Sequence, residues 1–215
     1  RFHLTLWNVY NFLVTYSQID RCQVKDSLDK KPTLLDLWIL TRLDETIIEV
    51  TEVLDDYQNV LAVQAIEDFV QDLSTWYLRR SRHRIGPTAE DQKDKEIAYL
   101  VLKTVLATLA KVLMPFTPFL ADEIYQKLKG KSVHLETWPE TKNRQVLDQK
   151  LLEQMELVRK ICEFGHAARK KAGIKVRQPL QLIKVKTKEK INLPEELIQL
   201  IKAELNIKEV VFEKG

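Results

Sequence analysis

Scarce glycine and cysteine set the first limits on this sequence. The five glycines, at 86, 130, 165, 173 and 215, are too scattered to build the phosphate cradle of a P-loop or a dinucleotide fold. Cys22 and Cys162 lie far apart, with no Cys-x-x-Cys and no His at metal-ligand spacing. That argues against a zinc site and a disulfide framework, and predicts a reducing, intracellular setting. The four histidines, His3, His83, His134 and His166, lack an HExxH pattern or a Cys partner and read as ordinary surface or core residues. A long apolar run is missing too: residues 101–121 come nearest, but Lys103, Lys111, Pro115 and Pro118 break them, so no membrane span is expected. Neither catalytic residues nor a metal or cofactor site is therefore expected in the chain itself. No initiator methionine or signal-like stretch precedes the helical pattern that opens at Arg1, so the chain is expected to be a piece of something longer.

What the chain has is apolar periodicity. With 215 residues, 45% hydrophobic and 30% charged, it can bury a core in one large domain or one plus a small appendage. Phe2, Leu6, Val9, Leu13 and Tyr16 recur every three or four residues, as one stripe of a helix. After a polar loop at 26–32, Thr33 is a plausible N-cap for a second helix carrying Leu37, Leu40, Ile47, Thr51 and Leu54. A break near Gln58 and Asn59 starts a third, with Ile66, Phe69, Val70, Leu73 and Tyr77, which Gly86 and Pro87 end. The fourth, residues 90–113, is apolar around most of its circumference and should be the most buried. Thr117 and Pro118 start a fifth, closed by Gly130. Asp122 and Glu123, early in it, suit its dipole rather than catalysis. From about residue 144 the pattern changes. A long helix through Leu147, Leu151, Met155, Val158, Cys162 and Gly165 stops at Gly173; residues 174–176 and 181–187 read as short strands. Asn192 and Pro194 introduce a helix through Leu205, and residues 208–212 a last strand. The expected fold is mainly α: an antiparallel helix bundle over residues 1–143 with a small α+β appendage over residues 144–215.

Charge is segregated along the chain. Residues 44–72 hold nine acids and no base, whereas residues 159–190 hold eleven Lys or Arg against two Glu. Solvated helix faces are the bland explanation, and opposite potentials on separate segments the functional one. The densest feature is Trp76-Tyr77-Leu78-Arg79-Arg80-Ser81-Arg82-His83-Arg84, four arginines within six residues at the exit of the third helix. A guanidinium fork matches phosphate geometry and keeps its charge near neutrality, so this density favours an anionic polymer. At 100° per residue, Arg79 and Arg82 point away from the Ile66, Phe69, Leu73 stripe. Arg80 and Arg84 fall on or near it, where carboxylates at the bundle's edge could hold them instead. Trp76 and Tyr77 could stack on bases, but an aromatic beside an apolar stripe more often packs. Further on, Arg169, Lys170 and Lys171 have a local explanation in the dipole of their helix. Lys175 and Arg177 have none. Following the Gly173 stop, on a segment expected to be extended and fixed by Pro179, they alternate with Ile174 and Val176 and project from one face.

Four signatures in this order resemble the anticodon-binding region of class I aminoacyl-tRNA synthetases: Leu6-Trp7-Asn8-Val9-Tyr10-Asn11-Phe12, then Asp36-Leu37-Trp38-Ile39-Leu40-Thr41-Arg42-Leu43, then the arginine cluster, then Met114-Pro115-Phe116-Thr117-Pro118-Phe119-Leu120-Ala121-Asp122-Glu123-Ile124-Tyr125. Within the class, the arginine segment and Gly173-Ile174-Lys175-Val176-Arg177-Gln178-Pro179-Leu180 look most like isoleucyl-tRNA synthetase. The resemblance covers nearly the whole chain. It implies a cytoplasmic, non-catalytic fragment that binds the anticodon stem-loop of isoleucine tRNA. Aminoacylation, with ATP and Mg, and editing of wrongly charged valine would lie in other domains of a parent chain. The HIGH and KMSKS signatures that hold ATP are absent from this sequence, as are the Cys ligands of the zinc that many members carry near the C-terminus. Arg79, Arg82, Arg80, Arg84, Lys175 and Arg177 are the candidate tRNA-binding residues; phosphate contacts by such groups orient a nucleic acid without reading its sequence. Two alternatives stay open: the corresponding domain of a valyl- or leucyl-tRNA synthetase, and a helical protein-interaction module whose acidic block docks a basic partner.

Overall fold

A computed structural model describes residues 2–20, 31–86, 89–141, 148–187 and 191–214. It divides into two compact units, Arg1–Leu147 and Asp148–Gly215. The polar loop expected at 26–32 falls mostly outside the described residues, as do Cys22 and Pro87.

The first unit is a helix bundle. Helix α1 (Phe2–Ile19) buries Leu6, Val9, Tyr10 and Leu13. Helix α2 (Leu34–Asp55) starts at a reciprocal cap: the Thr33 hydroxyl accepts from Asp36 N at 3.2 Å, and Asp36 Oδ2 accepts from Thr33 N at 3.0 Å. Two donors that a helix start would otherwise leave unpaired are thereby satisfied. Between α2 and α3 (Asn59–Asp72), Tyr57 turns the chain with φ 59°, a left-handed backbone uncommon for an aromatic residue. Helix α4 (Gln92–Leu113) is the central member, since thirteen of its 22 residues are buried, on every side of the helix. Helix α5 (Pro118–Lys129) begins with proline in the first turn, where the missing N–H costs nothing. Thr117 stands at its N-cap position, but its hydroxyl makes no hydrogen bond among the described residues, so the cap is positional only. Beyond Gly130 a short 3-10 turn (Val133–Leu135) follows, and Trp138 Nε1 donates to Thr51 Oγ1 of α2 at 2.9 Å.

In the second unit, α6 (Gln149–Lys171) is capped by Asp148, which accepts from Leu151 N at 3.0 Å. Its other end is a two-bond stop: Ile174 N donates to Arg169 O at 2.9 Å and Gly173 N to Lys170 O at 3.2 Å. That pattern requires a left-handed residue, which Gly173 supplies at φ 69°. Strand β1 (Leu180–Thr187), helix α7 (Glu195–Leu205) and strand β2 (Ile207–Lys214) then form one β–α–β crossover. The strands are parallel, in register from Leu180 opposite Ile207 through Val185 opposite Phe212. Helices α6 and α7 meet at Gly165, where a Cβ would lie 2.7 Å from Leu205 Cδ2 and closer still to Cδ1. The expected strand at 174–176 is not formed. Alternating Ile and Val suggested it, but the stop at Gly173 and a turn in which Gln178 N donates to Lys175 O at 3.0 Å take that segment instead. Among the described residues, no helix is long and apolar enough to cross a membrane.

Candidate nucleic-acid interface

Helix α3 does not stop at Asp72. It runs on as a π-helical segment (Leu73–Leu78), a single α turn (Arg79–Ser81) and a 3-10 turn (Arg82–Arg84), until Ile85 becomes extended. The arginine cluster therefore sits where the helix changes its hydrogen-bonding step, an irregularity that often accompanies function.

The four guanidinium groups have different fates. Arg84 is buried: Nη1 and Nη2 donate to Asp36 Oδ1 and Oδ2 at 2.9 and 2.7 Å, while Nε and Nη2 donate to Asp94 Oδ2 and Oδ1 at 2.8 and 3.0 Å. One fork thus ties the start of α2 to the end of the α3 extension and the first turn of α4. Arg84 is accordingly removed from the candidate tRNA-binding set, because its donors already face two carboxylates inside the fold. Arg80 is half-buried, its guanidinium 4.3 Å from the centre of the Trp76 ring, a cation–π arrangement within the helix. Arg79 and Arg82 are exposed. Arg79 Nε donates back to Thr75 O at 2.9 Å, and Arg82 stands 5.8 Å from the Phe12 ring of α1. His83 is exposed between Arg82 and Arg84. Tyr77 is fully buried and donates its hydroxyl to Asp36 Oδ1 at 2.8 Å, so it cannot stack on a base.

Asp36 is the centre of this arrangement, and its carboxylate accepts from five donors: Thr33 N, Thr33 Oγ1, Tyr77 Oη and both Arg84 Nη atoms. Burial alone would raise its pKa, but the bonds and charge of Arg84, with the bonds from Thr33 and Tyr77, outweigh that and hold it below the usual carboxylate range. The same cluster raises its partners. Burial and the Asp36 charge push the Tyr77 phenol well up. For Arg84, burial opposes the charge, but Asp36 and Asp94 overcome it and raise the pKa further. A second staple lies between α1 and α4, where Lys95 Nζ reaches Asp20 Oδ2 at 2.9 Å and Tyr99 donates to the same oxygen at 2.5 Å. On the acidic block, Asp72 faces inward to Arg42 at 3.4 Å, whereas Glu49, Glu52, Asp55, Asp56, Glu67 and Asp68 are exposed to solvent.

In the second unit, Lys170, Lys171, Lys175 and Arg177 are all exposed. Lys175 and Arg177 project from the 175–178 turn rather than from one face of a strand. Arg169, which looked like a dipole-complementing residue, is buried and donates to main-chain oxygens instead: Nη1 to Lys175 O and Gln178 O at 3.1 and 3.0 Å, Nη2 to Leu205 O and Asn206 O at 2.6 and 3.2 Å. Asn206, left-handed at φ 49°, donates its Nδ2 to Val176 O at 2.9 Å and Arg177 O at 3.2 Å. Sequence reasoning missed both residues. An Asn just after a helix was a legible signal for a left-handed cap, but nothing local marked Arg169.

Residues 36–186 match the family described as the anticodon-binding domain of tRNA ligase. The chain is 45% identical over 222 residues to the isoleucine–tRNA ligase of Clostridium novyi, an alignment covering 99% of the chain and 21% of that protein. It is 40% identical over 227 residues to the isoleucine–tRNA ligase of Thermus thermophilus, covering 100% and 22%. The isoleucine–tRNA ligase of Dehalococcoides mccartyi is likewise 40% identical, over 225 residues, covering 100% and 22%. The chain thus spans about a fifth of the length of these relatives. Order of motifs, helical architecture and family match agree, and the chain belongs to the anticodon-binding domain family of tRNA ligases.

Proposed function

We propose that this chain is the part of a cytoplasmic isoleucine–tRNA ligase that binds the anticodon stem-loop of isoleucine tRNA, and that it works by position rather than by chemistry. The observation that carries this reading is the division of labour among the arginines. Arg84 locks three helices together, and Arg79 and Arg82 stand exposed on the segment that it locks. Exposed guanidinium groups on a fixed backbone suit phosphate, which they anchor without reading sequence. Lys175 and Arg177 supply further cations on the second unit. The remaining four-fifths of the parent chain would house the catalytic and editing domains, with ATP and Mg bound in the former. Relatives named for isoleucine support that amino acid over valine or leucine.

Filter-binding titration of tRNA across salt concentration tests the reading. Removing one cation that neutralises a phosphate should shrink the slope of log K against log salt by about 0.7 to 0.9, so Arg79→Ala with Arg82→Ala should lower it by about 1.4 to 1.8. An unchanged affinity and slope would take both residues out of the site. Absence of any salt-dependent tRNA binding would favour the protein-interaction reading, whose docking face would be the six exposed acids of α2, α3 and the turn between them. Isoleucine tRNA binding no better than valine and leucine tRNAs would defeat the amino-acid assignment.

A further inference from the structure

We propose that Arg169 and Asn206 are positioning residues that hold the 175–178 turn as a preformed phosphate-binding tip, a role that rests on the tRNA-binding reading above. Beyond its own closing bond from Gln178 N to Lys175 O, the turn has little else to define it. Lys175, Val176, Arg177 and Gln178 are all exposed, so no buried side chain anchors it between the half-buried Ile174 and Leu180. Its shape rests on main-chain oxygens. All four carbonyls of the turn accept bonds from the two residues: those of Lys175 and Gln178 from Arg169, those of Val176 and Arg177 from Asn206.

The chemistry of the clamp is specific to a guanidinium. Each Nη of Arg169 has two hydrogens, and all four are engaged: one nitrogen holds the turn, the other the carbonyls of Leu205 and Asn206 where α7 passes into β2. A planar fork spans these two sites at once, which a lysine ammonium, with three hydrogens on a single atom, cannot do. Arg169 also differs from Arg84 in what meets its charge. Among the described residues no carboxylate pairs with Arg169, whereas Arg84 has two. Carbonyl dipoles solvate the buried cation without cancelling it, so its positive field persists beneath Lys175 and Arg177. A turn ordered before the ligand arrives does not have to be ordered on binding, and its cations face the polyanion with a third charge behind them.

The test compares the whole 215-residue chain with three sets of variants: Lys175→Ala plus Arg177→Ala, Arg169→Lys, and all three changes together. Arg169→Lys keeps the charge and removes the fork. It should flatten the salt slope of tRNA binding toward that of the Lys175→Ala, Arg177→Ala pair, about 1.4 to 1.8 below wild type, and should cost nothing further when combined with that pair. Should Arg169→Lys not fold, by far-ultraviolet circular dichroism, Asn206→Gly serves in its place, because glycine keeps the left-handed backbone while the side chain that donates to the turn is removed. Wild-type affinity and slope in the clamp variant, with the pair itself weakened, overturns the inference while leaving the tRNA reading intact. An equal loss whether or not Lys175 and Arg177 are present also overturns it, since the clamp would then act elsewhere. A chain with no salt-dependent tRNA binding at all fails earlier, on the reading beneath it.

Discussion

Removing Arg84 should cost stability and spare RNA binding, while removing Arg79 and Arg82 should do the reverse. Arg84→Met deletes four charge-assisted bonds and leaves the fully buried Asp36 carboxylate with only Thr33 and Tyr77 as donors. Breaking a buried pair from one side costs about 3 to 5 kcal/mol, much of it the penalty of the stranded charge. With a urea m-value of about 2 kcal/mol per molar, the unfolding midpoint should fall by roughly 1.5 to 2.5 M. The four tryptophans, at 7, 38, 76 and 138, all lie in the first unit, so their fluorescence follows the unit that contains Arg84. In the same assay Arg79→Ala with Arg82→Ala should change stability by about 0.5 kcal/mol or less, as exposed substitutions do. In the tRNA titration the order inverts: Arg84→Met, kept below its unfolding range, should retain the wild-type salt slope. A stability for Arg84→Met within about 0.5 kcal/mol of wild type, or a salt slope reduced as much as in the exposed pair, would refute the division of roles among these arginines.

Three other outcomes follow from the same geometry. Asp36 has a depressed pKa, so its contribution is present above the unfolded carboxyl value of about 4 and is lost as pH falls through the lower folded value. Asp36→Asn should therefore flatten the acid limb of stability below about pH 4, and an acid limb identical to wild type would contradict this assignment. Tyr77→Phe removes one bond to that carboxylate from a fully buried ring, and urea unfolding should register a loss of about 1.5 to 3 kcal/mol; a neutral result would mean that the bond contributes nothing. Gly165→Ala forces a methyl into the side chain of Leu205, itself buried, and should destabilise the second unit by about 1 to 3 kcal/mol, read by hydrogen exchange of the α6 and α7 amides; unaltered protection would show that the crossing has slack.

The helices were legible because their signals are local. Thr33 with Asp36, Pro118 at a first turn and Gly130 after a last one each act within a few residues, and apolar spacing marked α4 as central. What stayed hidden depends on partners far away in sequence. Arg84 and Asp36 are 48 residues apart, and Arg169 reaches carbonyls 36 and 37 residues on. No window of local pattern contains such pairs, so an arginine destined for the interior looks the same as one destined for a ligand. Residues 174–176 show the opposite failure. Their alternation is real, but the bonds from Arg169 and Asn206 override a weak strand preference over three residues. The π-helical step at 73–78 left no sequence mark that we can identify, although Arg79 and Arg82 face outward and Arg84 inward across it, as helical projection predicts.

The five-donor carboxylate of Asp36 has a consequence for uniqueness. Leucine and valine stripes tolerate sliding: two helices displaced by a turn still find apolar neighbours. A carboxylate that needs the Thr33 cap, a phenol and a two-pronged cation at once has a single solution, and a slip of one residue between Asn59 and Tyr77 would withdraw Tyr77 and Arg84 together. The α2–α3 hairpin thus has its alignment enforced by one aspartate.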